Sequence, residues 1–442
     1  MLPPFVAIAA ILAALIALMG AVRAMAARWG WNPEWQRKLV HLGMGVTALG
    51  FPWLFAEPWP VAVLGVLALG ALVALKHVPR LRGGIGGVLH DVDRHSQGDL
   101  YFAAAVVIVF FASKGDPILF CVPVMILTFA DAVGALIGIR YGKTSFATLS
   151  GRKSAEGSIM FFLTCFFVAH VPLLLAGSIG RAETLFLSLT LAAMVTMVEA
   201  VSTKGIDNLI IPVAGWYLLS QYLVMELDIL LQRFFLIAFL MGSVLVVRKR
   251  SSLDGSSLLG AVLFAYGCWA LGGWPFFVVP VILFINHLYA TRAIRRVATP
   301  NHDLWAVISI ACTGLVWLIL QRVHAGDPLR FLFPFVLGIS AHFAMRNFAT
   351  LRILETGGPR RRPAPLIRAT GKAVFWCYLP LLFCRAPGAV VVHAAIAAAA
   401  VLAVTWIFSR LYPAAGETPT HVWRWANECA LATGASTVGL IA

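Results

Sequence analysis

Carboxylates, cations and glycines gather at four places in the first half of an otherwise apolar chain. In "RKLVH", Arg37, Lys38 and His41 open a hydrophobic segment, with Arg37 and His41 four residues apart and so on one helical face. Such donors at a helix start suit a phosphate, and they equally suit the basic flank of a membrane span. In "FADAVGALIGIRYGK", Asp131 interrupts an apolar run, and Gly134 and Gly138 follow at helical spacing. A carboxylate inside such a run is costly unless it serves a site, and it is a natural Mg²⁺ ligand. The glycines allow a second helix or a nucleotide to approach the backbone closely.

Two further clusters complete the set. "GKTSFATLSGRKSAEGS" contributes Gly142, Lys143, Gly151, Arg152, Lys153, Ser154, Gly157 and Ser158, a Gly/Ser/basic loop at the entrance to a helix. That combination offers backbone N–H groups, a positive helix end and side-chain cations to a phosphate. It is not a Walker A loop, because the lysine is out of register with that motif. Glu156 in the same loop would cap the helix or hold metal. In "VEAVSTKGIDNLIIP", Glu199, Asp207 and Asn208 supply oxygen donors of the kind that hard cations such as Mg²⁺ prefer, Asn208 being also a natural helix cap. Phosphate donors plus metal-binding oxygens are the inventory of phosphoryl or nucleotidyl transfer, and in this setting the acceptor would be a lipid.

The elements that must position these residues follow from composition. Of 442 residues, 60% are hydrophobic and only 12% charged, and the mean hydropathy is +0.88. A soluble globule is excluded, and a polytopic integral membrane protein is implied. Apolar runs of about 20 residues recur without the alternation of an outer-membrane barrel, so an all-α bundle of roughly 13 to 16 transmembrane spans is expected. Spans are placed near 2–22, 39–56, 59–75, 101–113, 118–138, 158–176, 184–203, 208–225 and 229–247. The first run lacks a basic residue ahead of it and is expected to stay as a helix rather than be removed as a signal peptide.

Net charge is +15, and the basic residues sort onto alternate loops. Arg23, Arg28, Arg37 and Lys38 share one side with Lys76, Arg80, Arg82 and Arg94, with Arg140, Lys143, Arg152 and Lys153, with Lys204 and with the 248–250 run. Glu57, Asp116, Glu183, Glu226 and Asp228 fall on the other. The positive-inside rule therefore places all four motif clusters on the cytoplasmic face. Charge of this kind serves topology and lipid contact, and no nucleic-acid partner is expected. The seven cysteines lie in apolar runs without metal-site or disulfide spacing.

A second module begins after the 248–250 basic run, so the chain divides into a catalytic transmembrane domain, 1–247, and an additional transmembrane module, 248–442. Its spans are placed near 258–290, turning at "GGWP", and near 304–321, 331–347, 373–384, 388–409 and 424–442. The stretch 346–372 is expected to be a basic cytoplasmic loop that lies on anionic lipid or stays mobile and carries no chemistry, and the module to be a structural or lipid-guiding extension.

Over residues 30–225 the motifs, in order, resemble the polyprenol kinase family, which includes phytol, farnesol and dolichol kinases and is related to CDP-diacylglycerol synthases. The resemblance is carried by "RKLVH", "ADAVGALIGIRYGK", "GRKSAEGSIMFF" and a glutamate followed by "GIDNLIIP", and more loosely by "DRHSQGDLYF" with Gly98 and Asp99. It implies a membrane kinase that phosphorylates a long-chain isoprenoid alcohol with CTP or another nucleoside triphosphate and Mg²⁺. It also implies a nucleotide loop at Lys153, Ser154, Glu156, Gly157 and Ser158, and a metal-side set of Asp131, Glu199, Asp207 and Asn208. Asp131, Lys153, Glu156, Asp207 and His41 are the catalytic candidates; Arg37, Lys38, Lys143 and Arg152 join the phosphate-binding ones. A phosphatidate cytidylyltransferase and a non-enzymatic lipid transporter or scramblase are the competing readings.

Overall fold

A computed structural model describes residues 3–78, 97–149, 151–203, 205–295, 302–324, 326–354, 364–378, 387–412 and 422–441, with Leu381, Phe383 and Cys384. Arg80, Arg82, Arg94 and Lys204 of the basic loops lie outside the described residues. The chain forms two compact units, Met1–Ala238 and Phe239–Ala442. The division falls inside a helix, Leu227–Val247, rather than after it.

The first unit contains, in order, α1 (Pro4–Trp29), α2 (Pro33–Leu49), a short α3 (Phe51–Leu54), α4 (Trp59–His77), α5 (Gly98–Ala112) and α6 (Pro117–Met125). A π turn, Ile126–Ala130, leads into α7 (Asp131–Tyr141). Strands β1 (Ser145–Thr148) and β2 (Gly151–Ser154) then pair antiparallel, followed by α8 (Ala155–Ala176), α9 (Arg181–Val201), α10 (Asp207–Tyr222) and α11 (Leu227–Val247). The second unit continues with α12 (Gly255–Gly272), α13 (Trp274–Ile294), α14 (Leu304–Val323), α15 (Leu332–Leu354), α16 (Ala364–Tyr378), α17 (Pro387–Leu411) and α18 (Val422–Thr437).

Ten of the described helical segments are long and apolar enough to cross a membrane, and α5 is a shorter apolar helix. The protein is a helical, multi-pass integral membrane protein. The expected count of 13 to 16 spans is not reached by that criterion, because α2, α10, α16 and α18 are short and α15 carries polar residues through its length. Three other expectations shift. The loop 145–154 is a β-hairpin, a small exception to an all-α architecture. The span expected at 39–56 is broken after Gly50 into α2 and α3. The expected loop 346–372 is helical up to Leu354 and again from Ala364, and its middle lies outside the described residues.

Several joints follow directly from residue type. Asn32 caps α2 by accepting from the Glu34 N–H, with Pro33 at the first helical position. Asp116 caps α6 through Ile118 and Leu119, again with proline at the first position. The turn between α12 and α13 falls at "GGWP", where Gly273 adopts a φ of 76°, a conformation that favours glycine. The core of the first unit gathers Phe51, Phe102, Phe120, Ile126, Leu127, Phe161 and Leu191 around α6 and the π turn. That places part of this core immediately before Asp131.

Candidate active site

The π turn sets the direction of Asp131. Pro123, inside α6, has no N–H to give to the helix, and one turn later the ladder widens over Ile126–Ala130. Side chains donate to carbonyls around this distortion: Thr128 Oγ1 to the Val124 carbonyl at 2.7 Å, and His41 Nε2 to the Leu127 carbonyl at 3.2 Å. A carbonyl only accepts, so the proton sits on Nε2, and in the neutral ring Nδ1 keeps its lone pair. Helix α2 comes this close because Gly45 faces the turn; a Cβ at that position would lie 2.0 Å from Thr128 Oγ1.

Across this contact Lys38 Nζ meets Asp131 Oδ2 at 2.6 Å, with side chains only 9% and 13% exposed. His41 Nε2 lies 3.8 Å from the same carboxylate oxygen, and its ring packs edge-on against Phe102, 4.9 Å between centroids. Arg37 pairs with Glu34 at 3.0 Å, and its buried Nε has no partner among the described residues. Asp99, near the start of α5, is within electrostatic reach of Arg37.

A second pair is built from the hairpin. Lys153 stands on β2 opposite Phe146, and its Nζ reaches Glu199 near the end of α9, donating to Oε1 at 2.6 Å and to the backbone carbonyl of the same residue. A lysine at a helix C-terminus complements the exposed carbonyls there. Asp207, the first residue of α10, is within electrostatic reach of Asp131, Lys153 and Lys38, and Glu199 within reach of Asp131 and Asp207. Asn208 is buried and donates through Nδ2 to the Gly98 carbonyl at 2.9 Å, which ties α10 to the start of α5. The two lysine–carboxylate pairs and Asp207 thus form one charged cluster contributed by α2, α7, β2, α9 and α10.

The remaining expected residues are placed differently. Ser154 caps α8 by accepting from the Gly157 N–H at 3.1 Å, and Gly157 packs its Cα against Gly138. A Cβ on Gly157 would lie 2.8 Å from the Gly134 carbonyl oxygen, so the glycine track of α7 is filled by α8. Glu156 accepts from the Thr144 N–H at 3.0 and 3.2 Å and closes the base of the hairpin; it does not join the charged cluster. Arg152 donates to Ser145 Oγ on the exposed side of the hairpin, Lys143 is exposed beside it, and Ser158 is half-buried at the start of α8.

Among the described residues no three of His, Cys, Asp and Glu are drawn together tightly enough to form a ready-made metal site. The chemistry of the donor set still fits Mg²⁺, which is commonly held by one or two carboxylates with water and substrate phosphates completing its shell. Gly98 and Asp99, which stood at the margin of the motif pattern, are brought to the site by the Asn208 bond and the Arg37 interaction. The Leu127 carbonyl, as a backbone group, had no signal in the sequence.

The chain is 32% identical over 185 residues to a phytol kinase of Synechocystis sp., the match covering 41% of this chain and 76% of that protein. No model of a known protein family and no solved structure matches it. With a helical membrane architecture and 32% identity over about three-quarters of the relative, the chain belongs to the polyprenol kinase family, the phytol kinase type of membrane protein.

Proposed function

We propose that the first unit is a lipid kinase that transfers the terminal phosphoryl group of a nucleoside triphosphate, CTP being the expected donor, to the hydroxyl of a long-chain isoprenoid alcohol such as phytol, farnesol, geranylgeraniol or dolichol. The observation that carries this reading is the union of Lys38–Asp131, Lys153–Glu199 and Asp207 in one cluster, in a chain of the phytol kinase type. The basic loops that flank it favour a cytoplasmic opening, where nucleotide is available.

Phosphoryl transfer asks the protein for positioning and charge compensation more than for covalent chemistry. Lys153 and Lys38 are cations already held at fixed points, and the free Nε–H of Arg37 points to a further anionic contact. Lys143, just before the hairpin, and Arg152 on it supply an outer, exposed set. Asp131, Glu199 and Asp207, with Asn208 beside them, are the groups that would hold Mg²⁺. The ion when bound would neutralise triphosphate charge as the bond to the leaving nucleoside diphosphate breaks.

For the acceptor, a small apolar cavity of about 50 Å³ is lined by Met44, Ala48, Leu64, Phe102 and Val106, and Phe102 also touches His41. An alcohol whose chain lies along this lining brings its hydroxyl towards the imidazole. The lone pair on His41 Nδ1 is the acceptor for the hydroxyl proton, while the alcohol oxygen forms the new P–O bond.

The test is direct. The purified protein is incubated with labelled CTP, ATP or GTP and a panel of isoprenoid alcohols. A lipid monophosphate together with nucleoside diphosphate is expected. Release of pyrophosphate with a cytidylated lipid would instead identify a cytidylyltransferase, and no product with any pairing would overturn the kinase assignment.

A further inference from the structure

The second unit contains a cavity of about 340 Å³, within the size range of small-molecule sites. Its walls come from the end of α11 and from α12, α13, α14 and α15, and they are apolar, including Val244, Ala261, Val262, Phe284 and Ile310. Phe239 and Ile285, which also line it, are 69% and 45% exposed, so the cavity reaches the outer surface of the helices. Three polar side chains break the apolar lining: Ser243 of α11, which donates to the Leu240 carbonyl, His287 of α13 and Arg346 of α15.

Arg346 is the unusual residue. Its guanidinium makes no hydrogen bond and no ion pair among the described residues; its contact is the face of Trp425, 5.4 Å from the ring centroid. The carboxylate in electrostatic reach, Glu428, is fully buried and already bonded to Arg424 at 3.1 Å. Glu428 is thus engaged by Arg424, and Arg346 lies beside an apolar cavity with no carboxylate bonded to it among the described residues. Enclosing a guanidinium without a matching anion is costly, and stacking on an indole offsets only part of that cost.

The neighbouring polar groups hydrogen-bond to one another. His287 Nε2 lies 3.2 and 3.3 Å from the hydroxyls of Ser251 and Ser252 and 3.4 Å from that of Thr291, and Ser252 Oγ is 2.8 Å from His302 Nδ1. They stabilise that end of the cavity without neutralising Arg346. What the cavity lacks is an anion, and what its walls accept is a hydrocarbon chain.

We propose that this cavity binds a single-chain amphiphile with an anionic head, the head held by Arg346 beside His287 and the chain laid along α12, α13 and α14. Arginine's planar fork matches phosphate monoesters and carboxylates alike. The proposal rests on the second unit alone and holds whether or not the first unit is a kinase.

A photoreactive dodecyl phosphate carrying a diazirine at the chain end tests it, used on the full-length protein in neutral detergent with the modified peptides mapped by mass spectrometry. Labelling is expected within residues 258–288 and 306–310. Unlabelled dodecyl phosphate should compete and dodecanol should not. Competition by dodecanoate decides between a general anionic head and a phosphate-specific one. Arg346→Gln should reduce labelling at these peptides by about tenfold or more, the scale of a lost charged hydrogen bond. Ala261→Phe, which narrows the cavity and keeps the arginine, should reduce it as well, and decides the matter if Arg346→Gln fails to fold. Labelling spread over the outer helix surfaces, equal competition by dodecanol, or undiminished labelling in the folded variants would overturn the proposal.

Discussion

The two units handle buried charge in opposite ways. In the first, Lys38 is matched to Asp131 and Lys153 to Glu199, each at 2.6 Å, and Asp207 adds a further carboxylate within reach. In the second, Arg424 holds Glu428, and Arg346 has no carboxylate bonded to it among the described residues and lies among histidines and serines. On the function proposed above, the two lysine–carboxylate pairs cancel at rest, leave Asp207 as the surplus carboxylate, and open to a polyanion with its cation by exchanging partners, whereas an unpaired arginine fits a ligand that brings a single negative head. Pairing state thus separates the two proposed ligands.

The largest effect that would break this comparison is on catalysis. Lys153→Met should lower phosphoryl transfer by about 10²–10³-fold, the usual scale for removing a fixed electrostatic partner, while Arg152→Met on the exposed side of the same hairpin should change it far less. Equal losses in the two variants would show that the hairpin acts only as a diffuse basic surface. Next comes stability. Lys38→Met strands Asp131 and should cost about 3–5 kcal/mol in unfolding experiments, and Lys38→Met combined with Asp131→Leu should recover part of it. Arg346→Met removes a cation that lacks a paired anion, so its melting temperature should equal or exceed the wild type; a loss as large as that of Lys38→Met would erase the contrast.

Smaller effects sharpen the picture. Gly157→Ala pushes a methyl against the Gly134 carbonyl and the Gly138 backbone, and should cost about 1–3 kcal/mol by overpacking. A loss of nucleotide affinity without loss of stability would return Gly157 to the phosphate loop. The smallest effect is a pH dependence in the second unit. Burial, with the positive charge of Arg346 and smaller contributions from His287 and Arg424, pushes His302 down from 6.5 to about 2. The unfolded chain takes up a proton below about pH 6.5 that folded His302 refuses, so its contribution to stability is full above that pH and declines as the pH falls. Melting curves at about pH 7.5 and pH 5 should show this decline, and His302→Gln should flatten it.

Sequence reasoning reached the helical membrane class, the motif clusters and their family because each is a local signal: an apolar run, a charge flank, a few residues in order. Asp131, Lys153, Glu199 and Asp207 stood out for that reason. Their pairings were not legible, since Lys38 and Asp131 are 93 residues apart and Lys153 and Glu199 are 46 apart, and a motif does not encode its partner. Gly157 and Glu156 were legible as types but not as roles. A glycine beside basic residues looks the same whether it faces phosphate or another helix, and a glutamate in a helix's first turn looks the same whether it holds metal or closes a hairpin. His287, His302 and Arg346 form no motif at all, and folding alone assembles them.

The π turn before Asp131 acts as a length buffer in the chain. Its wider winding holds about one residue more than an α-helical turn, so losing one residue from Ile126–Ala130 can be absorbed by relaxing to ordinary winding, with α7 keeping nearly the same direction. Losing a residue between Asp131 and Gly134 has no such outlet: every residue after it turns by about 100°. Gly134 and Gly138 would then turn their smooth face away from α8 while Asp131 stayed beside Lys38. Tolerance to a single-codon deletion is therefore expected to change abruptly at Asp131, within one continuous helical run.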